Sequence, residues 1–203
     1  APTDLPMSTS LPALAAIDRS INPCKGLPLS ELSALTDAGL AIVRAQLDLD
    51  GLCELVYQQV TNLVDASSFH LGLFEGDSFQ LKVWVQDGVR RAPAAFPGGQ
   101  DAGIVGWVRS SQQPLLVRDF LAEMDQLPAQ PSYQAENPPR SALFVPLVAG
   151  GHAVGSMSVQ HVQPNVYDAE DLQLLSIIAN QAASAIVNAQ LFQTVGRRAE
   201  QLA

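Results

Sequence analysis

The last thirty-odd residues, Asp168 to Ala203, contain no proline, and their only glycine is Gly196. A run that long without a breaker reads as one helix, roughly 50 Å from end to end at 1.5 Å per residue. Leu175, Ile178, Ala182, Ala185, Ala189 and Phe192 recur at alternating intervals of three and four, and Gly196 and Ala199 keep the register. That spacing is the seam of a helix packed on a parallel partner. The rest of the chain, folded compactly, would be about 35–40 Å across. The helix is therefore expected to project from its domain, which is a way to transmit a signal. The alanines of 182–189 could instead pack on the domain's own first helix, and opposite stripes of one helix can serve both contacts.

The net charge of −9 and the absence of a basic stripe argue against nucleic acid and against anionic membrane surfaces. Cys24 and Cys53 lie far apart and form no disulfide or metal pattern, so a reducing cytoplasm is the expected setting. No uninterrupted stretch approaches the ~20 apolar residues of a membrane span. Pro2, Pro6 and Pro12 interrupt the start, which lacks the form of a signal peptide. Beginning at alanine and stopping inside a helix, the chain is expected to be a piece of something longer.

Residues 1–29 are rich in Pro, Ser and Thr and read as an arm or linker. Ser30 and Asp50 are candidate N-caps for two successive helices, the second burying Leu52, Leu55, Val56, Val60, Leu63 and Val64. The period then changes to two. Ser68–Phe74 and Phe79–Gln86 read as strands, the second alternating at Phe79, Leu81, Val83 and Val85, with Glu75-Gly76-Asp77 as the turn. A loop over 87–100 precedes a short helix at 102–110 capped by Asp101, a strand at 115–117, a short helix within 119–126 and a Pro-rich loop over 127–139. Arg140–Ala149 and His152–His161 form a hairpin about Gly150-Gly151, apolar on both faces. Asp168 followed by Asp171 resembles a capping box for the long helix. This order predicts an α+β fold, with a central antiparallel sheet, the terminal helices on one face, and short helices and loops on the other. A pocket belongs on the loop face.

Three segments, "GIVGWVRSSQQPLLVRD" (103–119), "RSALFVPLVAGGHAVGSMSVQH" (140–161) and "YDAEDLQLLSIIANQAASAIVNAQLF" (167–192), resemble GAF domains, the PAS-related sensory modules of bacterial signalling proteins such as sensor histidine kinases. The resemblance covers residues 30–192, and leaves 193–203 as a connecting helix toward a further signalling domain. It implies a small-molecule pocket on the loop face and homodimerisation through the terminal helices, and the domain is expected to be a non-catalytic sensor. A degenerate GAF domain serving only as a dimerisation spacer is the alternative. An enzyme is the third reading, for which no nucleophile–base pair, metal cluster or phosphate loop is found.

Subtype signatures narrow the cofactor. The Asn-Lys-Phe-Asp-Glu set of cyclic-nucleotide-binding GAF domains aligns with Gln160, His161, Tyr167, Asp171 and Leu172, where only Asp171 is identical, which argues against cyclic GMP. Residues 118–140 lack the cysteine that holds a covalent bilin. Cys24 lies in an arm, as in some bacterial phytochromes, but without room for the domain they insert after it. The several strand and loop cysteines of free methionine sulfoxide reductases are not matched. The ligand is left unassigned.

Pocket candidates are Trp107, Arg118, Phe120, Tyr133, Arg140 and His161. Trp107 either stacks on a ligand or fills the core. Arg118 and Arg140 either fork onto a carboxylate or phosphate, or pair with a neighbouring aspartate. Tyr133 is a lid contact or an exposed side chain. His161 is a haem, metal or anion ligand, or a hydrogen-bonded structural residue; three scattered histidines make no metal site. Cys53 reads as a small buried hydrophobe.

Overall fold

The computed structural model describes Asp37, residues 48–131 and residues 137–201, the side chains of 195–201 excepted. The arm with Cys24, Tyr133 and, apart from Asp37, the helix expected after Ser30 lie outside the described residues.

Helix α1 (Leu49–Thr61) is capped by Asp48, not by Asp50. The Asp48 Oδ1 accepts a hydrogen bond from the Gly51 backbone N–H at 2.8 Å. Either carboxylate meets the rule for an N-cap; burial of Leu49 decides, because the helix must include it. Leu52, Cys53, Val56 and Val60 then form its inner stripe. Strands β1 (Ser68–Glu75) and β2 (Ser78–Gln86) follow as predicted. The stretch expected to be a loop contributes two short strands, β3 (Val89–Arg90) and β4 (Ala94–Pro97), and both pair with β2. They cover the backbone groups of what would otherwise be a bare edge.

Helix α2 (Gly103–Ser111) has no side-chain cap; Ala102 precedes it, so Asp101 does not serve. β5 (Leu115–Val117) leads to α3 (Phe120–Glu123), capped by Asp119 and continued as a tighter turn over Met124–Gln126. β6 (Ser141–Ala149) and β7 (His152–His161) close on Gly150 and Gly151, at φ 59° and 80°. Two consecutive positive φ angles are what a two-residue hairpin of this twist requires, and glycine meets them without strain. All pairings are antiparallel, in the order β3-β2-β1-β7-β6-β5 with β4 also on β2.

Helix α4 (Ala169–Gln201) is continuous over 33 residues. Its start is a reciprocal box: Asp168 Oδ1 accepts from the Glu170 and Asp171 N–H groups at 2.8 and 3.1 Å, and Asp171 Oδ2 accepts from the Asp168 N–H at 3.0 Å. Such a cap contributes about 1 kcal/mol. By length and composition Ala169–Thr194 would suffice to cross a membrane. Its apolar face lies instead against the sheet, with Leu174, Leu175, Ile178, Ala179, Ala182, Ala183 and Ile186 all buried. Leu175, Ile178 and Ala182 of the expected intermolecular seam thus belong to the protomer's own core, where Leu175 and Ile178 are each worth roughly 1.5–3 kcal/mol. Ala185 and Ala189 pack at its margin, and only Phe192 of that set is exposed, at 79%. The outward stripe is Asn180, Ser184, Asn188 and Leu191.

The sheet therefore has a helix face, under α1 and α4, and a loop face, under α2 and α3. Phe69, Leu71, Leu73, Leu143, Val145, Leu147, Met157 and Val159 line the first. A smaller cluster of Ile104, Val108, Val117, Phe120, Ala142 and Phe144 lies on the second.

Candidate functional site

Antiparallel partners share a face, so the register places one row of side chains across the loop face: Trp84, His70, Ser158, Phe144 and Leu115. Beside it run Ser68, Gln160, Ala142 and Val117. Toward the hairpin turns come Leu81, Gly72, Ser156 and Pro146. The middle of this face is polar. β7 alternates Ser156, Ser158 and Gln160 toward the loops, with Met157 and Val159 toward the helices.

One deviation shapes the corner next to the strip. Leu71 pairs with Val83 but Gly72 with Leu81, leaving Lys82 as a bulge in β2. The bulge moves Phe79 and Leu81 off the helix face, although their alternation with Val83 and Val85 is unbroken in sequence. The Phe79 ring then lies over Gly72, where an added Cβ would come within 2.5 Å of Cζ. Phe74 meets the same ring at 5.1 Å between centroids.

The polar strip is hydrogen-bonded internally. Gln160 Nε2 is 3.2 Å from His70 Nδ1 and 3.3 Å from Ser158 Oγ. Ser156 Oγ donates to the Val145 carbonyl at 3.2 Å. Burial pushes the His70 imidazole down to about 4, so it is neutral at physiological pH. Trp84 meets His70 edge-on at 6.3 Å and Phe96 at 5.8 Å. His70, Trp84, Phe96 and Gln160 all retain partial exposure.

Helix α2 roofs the hairpin end of this face. Gln112 Nε2 donates to the Gly151 carbonyl at 3.0 Å, and Arg109 Nη1 to the Gly98 carbonyl at 2.6 Å. Arg109 also lies 4.8 Å from the Phe74 ring centroid. Gly106 permits the close approach, since a Cβ there would meet the Gly99 and Gln100 carbonyl oxygens. An open depression of about 380 Å³ near the start of α2 is lined by Asp77, Pro97, Gly99, Gln100, Asp101 and Ala102.

Of the residues expected at the pocket, Trp107 and Phe120 come to the loop face, where Phe120 is fully buried and Trp107 packs at the edge of the smaller cluster. Arg140 continues β6 and forks onto Asp119, Nε to Oδ1 at 2.7 Å and Nη2 to Oδ2 at 2.5 Å. Those bonds hold the Asp119 carboxyl below its ordinary range. Arg140 is thus a strut between β6 and α3; its carbonyl also accepts from the Phe120 N–H at 2.7 Å. Arg118 is exposed.

His161 pairs with Ser141, whose neighbours Leu143 and Val145 define the helix face, so it lies on the side away from the loops. Its Nδ1 accepts from the Gln163 N–H at 3.0 Å, and its Nε2 is 3.8 Å from Asp65 Oδ2. The adjacent Gln160 faces the loops instead. Cys53 is fully buried, and its thiol is pushed up to about 12 by burial first and by Asp50 second. Among the described residues no three His, Cys, Asp or Glu side chains gather as a metal site would require.

The GAF domain profile matches residues 46–187. The chain belongs to the GAF domain family. This GAF domain is 27% identical over 164 residues to the DNA-binding transcriptional activator HyfR of Escherichia coli (strain K12), across 75% of the chain and 23% of HyfR. It therefore spans about a quarter of that relative's length. Residues 122 to 287 of a methyl-accepting chemotaxis protein superpose with TM-score 0.63 at 20% identity, covering 78% of this chain and 99% of that one. The free methionine-R-sulfoxide reductase of Neisseria meningitidis, solved in complex with its substrate, superposes with TM-score 0.60 at 15% identity, covering 79% and 90%. Regulators and an enzyme thus share this fold, and function must be argued from the site.

Proposed function

We propose that this GAF domain is a non-catalytic sensory module that binds a small molecule on its loop face. The observation that carries the reading is the hydrogen-bonded strip His70–Gln160–Ser158 beside Trp84, partly open, on a sheet face whose β5–β6 half is apolar. Polar groups placed in mid-sheet lose hydration, and a ligand that pairs with them recovers it. Catalysis by Cys53 is disfavoured, because a buried thiol held far above neutrality is a poor nucleophile.

In this reading the domain works in the cytoplasm as the input module of a larger bacterial signalling protein. α4 carries the signal to a kinase or another output domain, and HyfR is an example of a regulator to which such a segment is similar. Two protomers associate in parallel through α4. Support for that part comes from Leu191 and Phe192, 58% and 79% exposed near its end. A ligand would bias the helix pair between two arrangements, which takes only a few kcal/mol.

Native mass spectrometry of the purified protein tests the binding part: a small-molecule adduct present on the wild type and absent from Gln160→Ala is expected. Sedimentation velocity tests the pairing, where a monomer at high micromolar concentration would contradict it. The spacer reading has its own observation: Phe120, Ile104, Val108 and Val117 already fill the β5–β6 half of the loop face. A stable dimer carrying no adduct would favour it.

A further inference from the structure

Helix α4 outlasts the sheet it packs on. Ile186 is its last fully buried residue among those described, yet the helix runs on to Gln201, roughly 20 Å farther at 1.5 Å per residue. A surface helix ordinarily turns charged side chains toward water. From Leu172 to Gly196 α4 carries no Asp, Glu, Lys, Arg or His at all. Its outward side is instead Asn180, Ser184, Asn188 and Leu191, all exposed, with Phe192 beside them.

That side has a heptad of its own. Ile177, Gln181, Ser184, Asn188 and Leu191 follow one another at intervals of four, three, four and three, and Val195 comes four later in the sequence. The run is distinct from Leu175, Ile178 and Ala182, which the protomer's core takes up. With Leu191 at position d, the a positions are Gln181, Asn188 and Val195. A β-branched residue at a with leucine at d favours a parallel, two-stranded coil, and an asparagine at a fixes its register by meeting its own copy across the axis. In an antiparallel pair Asn188 would face a d position, and its amide would lose that partner. The next seam position is Arg198, where two like charges would meet, so the seam ends at Val195.

Charge selects the occupant. The chain carries a net −9, so two copies repel on approach. The outward side of α4 is where they can touch with no charge on either side, and interface centres are depleted of charge. A lipid surface would call for apolar side chains where α4 presents Asn180, Ser184 and Asn188, and the apolar side of the helix already lies against the sheet.

We infer that a second copy of this chain packs on the outward side of α4, parallel and in register, along the seam from Ile177 to Leu191, with Asn188 meeting its own copy. This rests on two protomers pairing through α4 and names the stripe that pairs them.

Single cysteines in a Cys24→Ser background test the seam; Cys53 is fully buried and stays out of the reaction. Asn188→Cys and Leu191→Cys lie on the seam and Gln190→Cys lies off it. Each full chain, checked for folding by circular dichroism, is oxidised with copper–phenanthroline and run on a non-reducing gel. The two seam variants should form disulfide-linked dimers about tenfold or more faster than Gln190→Cys, because only seam positions bring the two copies within disulfide reach. Sedimentation velocity on the same proteins separates the outcomes. A dimer whose seam variants link no faster than Gln190→Cys overturns the seam and leaves the pairing of protomers standing. A monomer with no preferred link overturns both. Asn188→Leu should associate more tightly but spread into species beyond the dimer, and a uniform dimer of unchanged affinity would overturn the part given to Asn188.

Discussion

Replacing His70 by Gln should flatten the acid limb of the protein's stability curve. In the folded chain the imidazole is held to about 4 by burial, against 6.5 for an exposed histidine. Below pH 6.5 the unfolded imidazole therefore takes up a proton that the folded one refuses until about pH 4. Acid draws the equilibrium toward the unfolded state over that window, and stability rises with pH from 4 to 6.5. The separation amounts to about 3 kcal/mol, at about 1.4 kcal/mol per tenfold in proton affinity. His70→Gln keeps hydrogen-bonding capacity but removes the titration. Urea unfolding at closely spaced pH values should show wild type losing about 3 kcal/mol more than the variant between those limits. Contributions from the carboxylates cancel in the difference. Parallel curves for the two proteins, or a His70 ring that titrates by NMR near 6.5, would refute the burial argument.

Three further outcomes follow from the packing and the ion pair. Gly72→Ala forces a Cβ to within 2.5 Å of Phe79 Cζ and 2.9 Å of the Gln80 carbonyl; it should lower stability by about 1–3 kcal/mol, measured by urea unfolding. Arg140→Leu should bring the Asp119 carboxyl back up toward the ordinary range, read by NMR titration, because the Arg140 fork is what holds it down. In a Cys24→Ser background, Cys53 should resist a thiol reagent at mildly alkaline pH until urea unfolds the chain, since its thiol is pushed to about 12.

The layered fold was legible because its signals are local: the box at Asp168 and Asp171, the glycine turn at Gly150–Gly151 and the apolar runs on either side of that turn are all written in adjacent residues. Where expectation and structure part, two local patterns fit equally and tertiary packing selects one. Asp48 and Asp50 both satisfy the rule for a cap, and burial of Leu49 chose. β3 and β4 are two and four residues long, too short to show a period, and exist because β2 offered them an edge. The clean run Phe79, Leu81, Val83, Val85 gives no hint that a bulge at Lys82 divides it between faces. A helix seam likewise carries no label saying whose surface it meets, and that of α4 met the sheet. For the site, the signal that sequence reasoning passed over is the "SMSVQ" pattern at 156–160. Polar residues alternating with core residues in a buried strand mark a polar face, and parity then selects Gln160 over His161.

In the proposed function the loop face holds a small molecule through Trp84 and Gln160. Equilibrium dialysis of the folded chain against a metabolite extract, read by mass spectrometry, tests it most directly when run beside a Trp84→Ala/Gln160→Ala variant of matched circular dichroism. At least one compound is expected to be enriched on the wild type and not on the variant. Identical profiles for the two proteins would contradict it.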